Sequence, residues 1–131
     1  MTIITDFFTN KIPYNPNGFY LNEITDCLSD SIWESNHNFI QWVFPTQTPS
    51  KFNKDAPLVT EEDRKLFAED NVLHYQLISN YVRFIKFLKL DAPLKDKPFW
   101  VEKDNHNLLR ITRCIESLSL LGCSGLAGDF W

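Results

Sequence analysis

The sequence feature that most limits the fold is a long apolar repeat between Val72 and Leu88. Apolar side chains recur there every three or four residues, which is the spacing of one face of an α-helix. Asp70 and Asn71 precede the repeat as a helix start, and Pro93 follows it as a stop. Nowhere does the chain carry the alternating pattern of a half-buried strand, so the sequence predicts an all-α fold.

Further helices are predicted on either side of this repeat. Thr60 followed by three acids is typical of a helix start. Ser31, with Glu34 three residues later, predicts a capping box, and Gly122 is placed to end a helix. The apolar cluster of Ile3, Ile4, Phe7 and Phe8 predicts a short helix or an arm packed on the core. The other predicted helices are residues 20–29, 31–44, 60–69 and 104–121, with a further helix start at 124. We therefore expect a single domain over residues 1–131, a bundle of four to six helices with two long proline-containing loops at 45–59 and 91–103.

Composition excludes several protein classes. The 131 residues suit one domain, and 44% of them are hydrophobic, which excludes a disordered chain. A net charge of −4 argues against a general nucleic-acid footprint. Aromatic residues make up 15% of the chain, which predicts either a large core or an aromatic binding surface. Placed on helical stripes, Phe39, Phe67, Tyr81 and Phe84 are predicted to be core.

The cysteines and the N-terminal residues predict the cellular compartment of the protein. Cys27, Cys114 and Cys123 are odd in number and form no CxxC pair, so we interpret them as small buried hydrophobes in a reducing compartment. The first residues lack the pattern of a signal peptide, and no apolar run approaches the ~18 residues that span a bilayer. We expect a cytoplasmic protein without a transmembrane segment.

Three stretches together resemble a known family. They are HNFIQWVFP at residues 37–45, NKDAPLVT at 53–60 followed by EED and Phe67, and HNLLRITR at 106–113 followed by Ser117-Leu118 and Leu121-Gly122. In this order they resemble the conserved region of the opioid growth factor receptor family, over roughly residues 19–130. A stand-alone member of this length is expected to be microbial.

The resemblance implies a helical module that recognises a peptide or protein partner. The vertebrate namesake is described as a receptor for an opioid peptide, although we do not expect opioid binding itself to extend to this chain. No catalytic residues are assigned in the family, so none are carried over, which favours a binding protein over an enzyme.

One candidate site lies on the last predicted helix. His106, Arg110, Arg113 and Ser117 share one helix face beside the apolar stripe. Arginine presents a planar fork that suits a carboxylate or phosphate, so the face predicts an anion pocket. The alternative is internal neutralisation of the arginines by acids of the same chain, among them Glu61, Asp63, Glu102 and Glu116.

A second candidate site lies in the HNFIQWVFP stretch. His37 and Gln41 are polar positions in an otherwise apolar predicted helix. They predict either a buried hydrogen-bond network or a recognition site beside Trp42. Trp100, in the second loop, is a further candidate contact. The complete predicted ligand-binding set is His37, Gln41, Trp42, Trp100, His106, Arg110 and Arg113.

Other chemistries find less support in the sequence. The three histidines are widely separated and lack metal-ligand spacing, and no glycine-rich phosphate loop is followed by a basic residue. We expect no metal and no cofactor. Two alternatives stay open: a small-anion-binding protein or enzyme that uses His37, His106, Arg110 and Arg113, and a phage or bacterial interaction protein that blocks a host factor.

Overall fold

The structure is a computed structural model that describes residues 2–14, 18–36, 39–49, 56–89, 106–123 and 125. These residues form seven α-helices and no strand. The helices are α1 (Ile3–Phe8), α2 (Leu21–Asp26), α3 (Asp30–Ser35), α4 (Ile40–Val43), α5 (Glu61–Glu69), α6 (Asn71–Phe87) and α7 (His106–Leu120). The all-α prediction is confirmed. The possible helix from residue 124 and the loop at 91–103 lie outside the described residues.

The single helix predicted over residues 31–44 is wrong, because the structure divides this segment into α3 and α4. Ser29, rather than Ser31, caps α3 by accepting a hydrogen bond from the backbone N–H of Ile32. The helix ends at Asn36, whose backbone is extended and whose carbonyl oxygen accepts a hydrogen bond from Arg110. Asparagine competes with helical hydrogen bonding, and a tertiary contact fixes the non-helical conformation here.

The predicted start signals of α5 and α6 are confirmed. The hydroxyl of Thr60 accepts a hydrogen bond from the backbone N–H of Asp63, and the Asp63 carboxylate accepts one from the backbone N–H of Thr60 at 2.9 Å. Asp70 ends α5 and caps α6, because its carboxylate accepts the N–H of Val72 at 2.8 Å. Asp63 is buried and also accepts the hydroxyl of Thr2, which joins α1 to α5.

Trp33 lies at the centre of the aromatic core. Its indole N–H donates to the backbone carbonyl of Ile24 at 3.1 Å, so α2 is tied to α3. Its ring centroid lies 5.0 Å from that of Phe39, 6.3 Å from that of Phe84 and 5.8 Å from that of Phe87. The predicted core positions Phe39, Phe67 and Phe84 are fully buried, and Tyr81 packs against them half-buried.

The apolar repeat of α6 is wider than its buried face. Val72 is 65% exposed and Tyr75 is 71% exposed, although both follow the helical spacing. Leu73, Leu77 and Phe84 form the face that is buried. Sequence spacing therefore overstates how much of this helix faces the core.

The end of α7 agrees with the prediction for Gly122. This glycine has a φ of +92°, in the left-handed region that glycine adopts without steric cost. The backbone N–H of Cys123 donates to the carbonyl of Leu118 at 2.7 Å, which is the bond of a Schellman ending. Cys114 and Cys123 are buried as predicted, whereas the prediction for Cys27 is wrong, because this residue caps the C-terminal end of α2 and is exposed.

Candidate binding site

Arg110 of α7 holds the C-terminal end of α3. Its guanidinium donates to the backbone carbonyl of Trp33, to the carbonyl of Asn36 at 2.8 Å and to the side-chain oxygen of Asn107 at 3.3 Å. The last carbonyls of a helix have no partner within the helix, and Arg110 supplies donors for them. This side chain is only 4% exposed, so most of its donor capacity is used inside the protein.

Glu34, which the sequence analysis considered only as part of a capping box, lies near Arg110. The side-chain amide of Asn107 donates to the carboxylate of Glu34 at 2.9 Å. Burial lowers the pKa of the Arg110 guanidinium to about 10, and the charge of Glu34 opposes that change. Arg110 therefore stays charged at neutral pH. Glu34 lies near Arg110 because α3 ends there. No local sequence pattern predicts that these two residues lie close together.

Arg113 lies one turn further along α7, and fewer of its hydrogen-bond donors have partners. One terminal nitrogen donates to the backbone carbonyl of Gln41 in α4 at 3.3 Å. Its Nε is buried and has no hydrogen-bond partner among the described residues. Burial lowers the pKa of Arg113, and the charge of nearby Glu116 raises it.

Two further buried polar atoms lack hydrogen-bond partners among the residues that the structure describes. They are Oε1 of Gln41, which is 7% exposed, and Oγ of Ser117, which is fully buried. Ser117 follows Arg113 by four positions, so both lie on one face of α7. We use the name α4–α7 seam for Gln41, Arg113 and Ser117, which lie on two helices joined by the hydrogen bond from Arg113 to the Gln41 carbonyl. A buried polar group without a partner costs about 1–3 kcal/mol, and native proteins keep few of them.

The other predicted site residues fall in different places. Trp42 is half-buried, and its ring packs edge-on against Phe7 of α1 with centroids 5.4 Å apart. His106 begins α7, but its side chain lies outside the described residues, as do His37 and Trp100. The structure thus brings Gln41 and Arg113 together, sets Arg110 at the end of α3 and turns Trp42 toward α1.

The sequence analysis did not identify a contact between His74 and Cys123. The sulfur lies 3.7 Å from both ring nitrogens of His74. Burial raises the pKa of the Cys123 thiol, which favours the protonated form over a nucleophilic thiolate. Within the described part of the chain, no three His, Cys, Asp or Glu side chains gather as metal ligands would.

Comparisons with known proteins agree with the resemblance noted in the sequence. The family model described as the opioid growth factor receptor conserved region matches residues 2–128. The mouse opioid growth factor receptor is 29% identical over 130 residues, with 88% of this chain and 20% of the relative covered. The human receptor is 30% identical, with 88% and 19% covered. The mouse opioid growth factor receptor-like protein 1 is 30% identical over 129 residues, with 88% and 28% covered.

The chain spans less than a third of the length of these curated relatives. No solved structure matches it significantly. Of the helices in the described ranges, the longest has 17 residues, and none combines the length and apolar character needed to cross a membrane. The match over residues 2–128 covers every helix described above, and the chain therefore belongs to the family defined by the opioid growth factor receptor conserved region.

Proposed function

We propose that this chain is a helical binding module that holds a peptide or protein partner at the α4–α7 seam. The observation that carries the proposal is the set of three buried, unpartnered polar atoms: Gln41 Oε1, Arg113 Nε and Ser117 Oγ. They lie on α4 and α7, two helices that the hydrogen bond from Arg113 to the Gln41 carbonyl joins. A partner that supplies the missing hydrogen bonds would remove a cost that the free protein bears.

The two arginines of α7 have different proposed roles: Arg110 is structural, and Arg113 is a binding residue. Arg110 donates to three oxygen atoms of the chain and is almost fully buried. Arg113 donates one weak bond, at 3.3 Å, and part of its side chain reaches the surface. A partner could approach Arg113 without displacing the contacts that fix α3.

The family and the remaining predicted residues support the same proposal. The relatives are named as receptors, a word that implies a ligand. Trp42 follows Gln41 directly, but its ring packs against Phe7 of α1, so it stays in the proposed set on the strength of its motif. His37 and His106 stay on the same ground, and Trp100 stays as an aromatic residue of the second predicted loop. The three free thiols fit the cytoplasm as the place of action.

Selection from a displayed library of random peptides tests the proposal. The library is selected on the wild-type protein and on the double variant Gln41→Leu/Ser117→Ala, which removes two unpartnered atoms while the backbone carbonyl used by Arg113 stays. The matched control is Gln47→Leu/Ser119→Ala, which makes the same changes at exposed positions.

We expect peptides that bind the wild type and the control and bind the seam variant at least tenfold more weakly. Peptides that bind all three proteins equally would place recognition elsewhere. A library that yields no binder to the wild type would also contradict the proposal.

A further inference from the structure

We infer that two copies of this chain associate through the outward face of α6, with the two helices antiparallel about a twofold axis. The outward face of α6 consists of Val72, Tyr75, Val82 and Lys86, which are exposed, and Ser79, which is half-buried. These positions follow one another at intervals of three and four, so they form one stripe along a helix of 17 residues. None of them belongs to the α4–α7 seam, so this interface is independent of the proposed function.

The stripe is apolar although it faces solvent. Val72 is 65% exposed, Tyr75 is 71% exposed and Val82 is 46% exposed. The buried side of α6, which includes Leu73 and Phe84, lies on the other side of the helix. The outer side of a surface helix is ordinarily polar, and alternating intervals of three and four are the spacing along which two helices pack. The outward face of α6 therefore has the pattern of a helix-packing surface.

The two ends of α6 carry opposite charges. Glu69 is exposed and lies two positions before the first residue of α6, which places its backbone within about 8 Å of that end. Lys86 is exposed in the last turn. Neither forms an ion pair with any residue that the structure describes. The basic end has a further excess of positive charge, since Arg83 and Lys89 share the single carboxylate of Asp30.

A second copy of the chain supplies the complementary charges. An antiparallel pair sets the acidic start of each α6 against the basic end of the other, whereas a parallel pair would bring like charges together. A twofold interface uses the same patch on both copies, so one favourable contact occurs twice. Charge complementarity therefore favours a copy of this chain as the occupant and fixes the direction of the two helices.

The apolar positions fit the same arrangement. With the twofold axis near Ser79, Tyr75 lies beside the partner's Val82, and Lys86 lies beside the partner's Val72. Ser79 is small, which allows the two helices to approach closely where they cross. One pair of helix faces lies at the small end of the range of specific interfaces, so we expect a reversible dimer of micromolar rather than nanomolar affinity.

Sedimentation equilibrium of the complete chain, from about 5 to about 500 µM, tests the inference. We expect a monomer–dimer equilibrium for the wild type. Tyr75→Lys removes the most exposed apolar side chain of the stripe and adds a charge, so it should weaken dimerisation at least tenfold. Leu109→Lys is the matched control, because Leu109 is 64% exposed on α7; this variant should dimerise like the wild type.

Two charge reversals test the antiparallel arrangement. Lys86→Glu makes both ends of α6 acidic, and Glu69→Lys makes both ends basic, so each variant should self-associate at least threefold more weakly than the wild type. In a mixed pair of the two variants, every acidic end lies against a basic end. An equimolar mixture should therefore recover the association of the wild type. All substituted positions are exposed, so the circular dichroism of each variant should match that of the wild type.

Three results would contradict this interface. A wild-type chain that stays monomeric at the highest concentration would overturn the inference. Dimers that Tyr75→Lys weakens no more than Leu109→Lys does would show that association uses another surface. A mixture of Lys86→Glu and Glu69→Lys that associates no better than either variant alone would overturn the antiparallel pairing.

Discussion

The guanidinium of Arg110 donates a hydrogen bond to the backbone carbonyl of Trp33, 77 positions earlier in the chain. This bond joins the last long helix to the residue at the centre of the aromatic core. A charged donor on a helix-end carbonyl makes a strong bond, worth about 1.5–3 kcal/mol. The position of α3 therefore depends on a residue on α7.

Replacement of Arg110 by methionine should destabilise the protein by about 2–4 kcal/mol, since three hydrogen bonds are lost from a buried place. Urea unfolding measures the change. Arg64→Met is the matched control, because Arg64 is exposed and forms only an i,i+3 pair with Glu61; it should cost less than about 1 kcal/mol. Equal effects of the two substitutions would show that Arg110 does not hold the end of α3.

Substitutions in the α4–α7 seam should stabilise the free protein. Gln41→Leu and Ser117→Ala each remove a buried polar atom without a partner, and we expect a gain of about 1 kcal/mol from each in urea unfolding. Thr46→Val is the control: Thr46 is equally buried, but its hydroxyl accepts the N–H of Thr48 at 3.2 Å, so this substitution should destabilise. If the seam variants lost stability as Thr46→Val does, their polar atoms would be satisfied in solution.

The carboxylate of Asp30 should make stability depend on pH in the acid range. Burial raises the pKa of Asp30, but hydrogen bonds from Lys89 and Arg83, at 2.6 and 2.9 Å, outweigh it and leave the pKa below the ordinary value. The unfolded chain protonates first, near pH ~3.9, so the contribution is complete above that pH and is lost as the pH falls through the folded-state pKa.

Asp30→Asn tests this dependence. The variant should be less stable than the wild type at neutral pH by no more than about 1 kcal/mol, because the carboxylate is 43% exposed and solvent screens the pairs. The difference should shrink as the pH falls below about 4 and through the lowered folded-state pKa of Asp30. A pH-independent difference would rule out the ion pairs as its source.

Gly122→Ala should destabilise the end of α7 by about 1 kcal/mol. An added Cβ would meet no atom within 4 Å, so the whole effect comes from the backbone φ of +92°. Gly125→Ala is the control, because its backbone lies outside the left-handed region and its surroundings are equally open. Thermal unfolding of both variants measures the difference, and equal melting temperatures would contradict the conformational argument.

Sequence reasoning succeeded where structure is decided locally. The Thr60 cap, the Asp70 start and the Gly122 ending depend on residues within a few positions of one another, and all three are confirmed. The break between α3 and α4 could not be found in this way. It depends on Asn36 and on a donor, Arg110, that lies 74 positions away.

The candidate site, too, could be predicted from the sequence only where it depends on local spacing. The helix face with Arg110, Arg113 and Ser117 follows from spacing alone, and Gln41 was identified as a polar position in an apolar segment. Which arginine is satisfied inside the protein depends on where α3 ends and on the position of Glu34. Those are tertiary facts, so sequence could name both arginines but could not distinguish them.

The contacts of Trp33 imply how this protein unfolds. Its indole N–H bonds to α2, its ring packs on Phe84 of α6, and its carbonyl is bonded by Arg110 of α7. No other residue type offers an apolar surface of that size together with a donor at its edge. Separation of any one of these three helices from Trp33 exposes the ring that the others cover. Helix content and the emission that is characteristic of a buried tryptophan should consequently be lost in a single concerted transition.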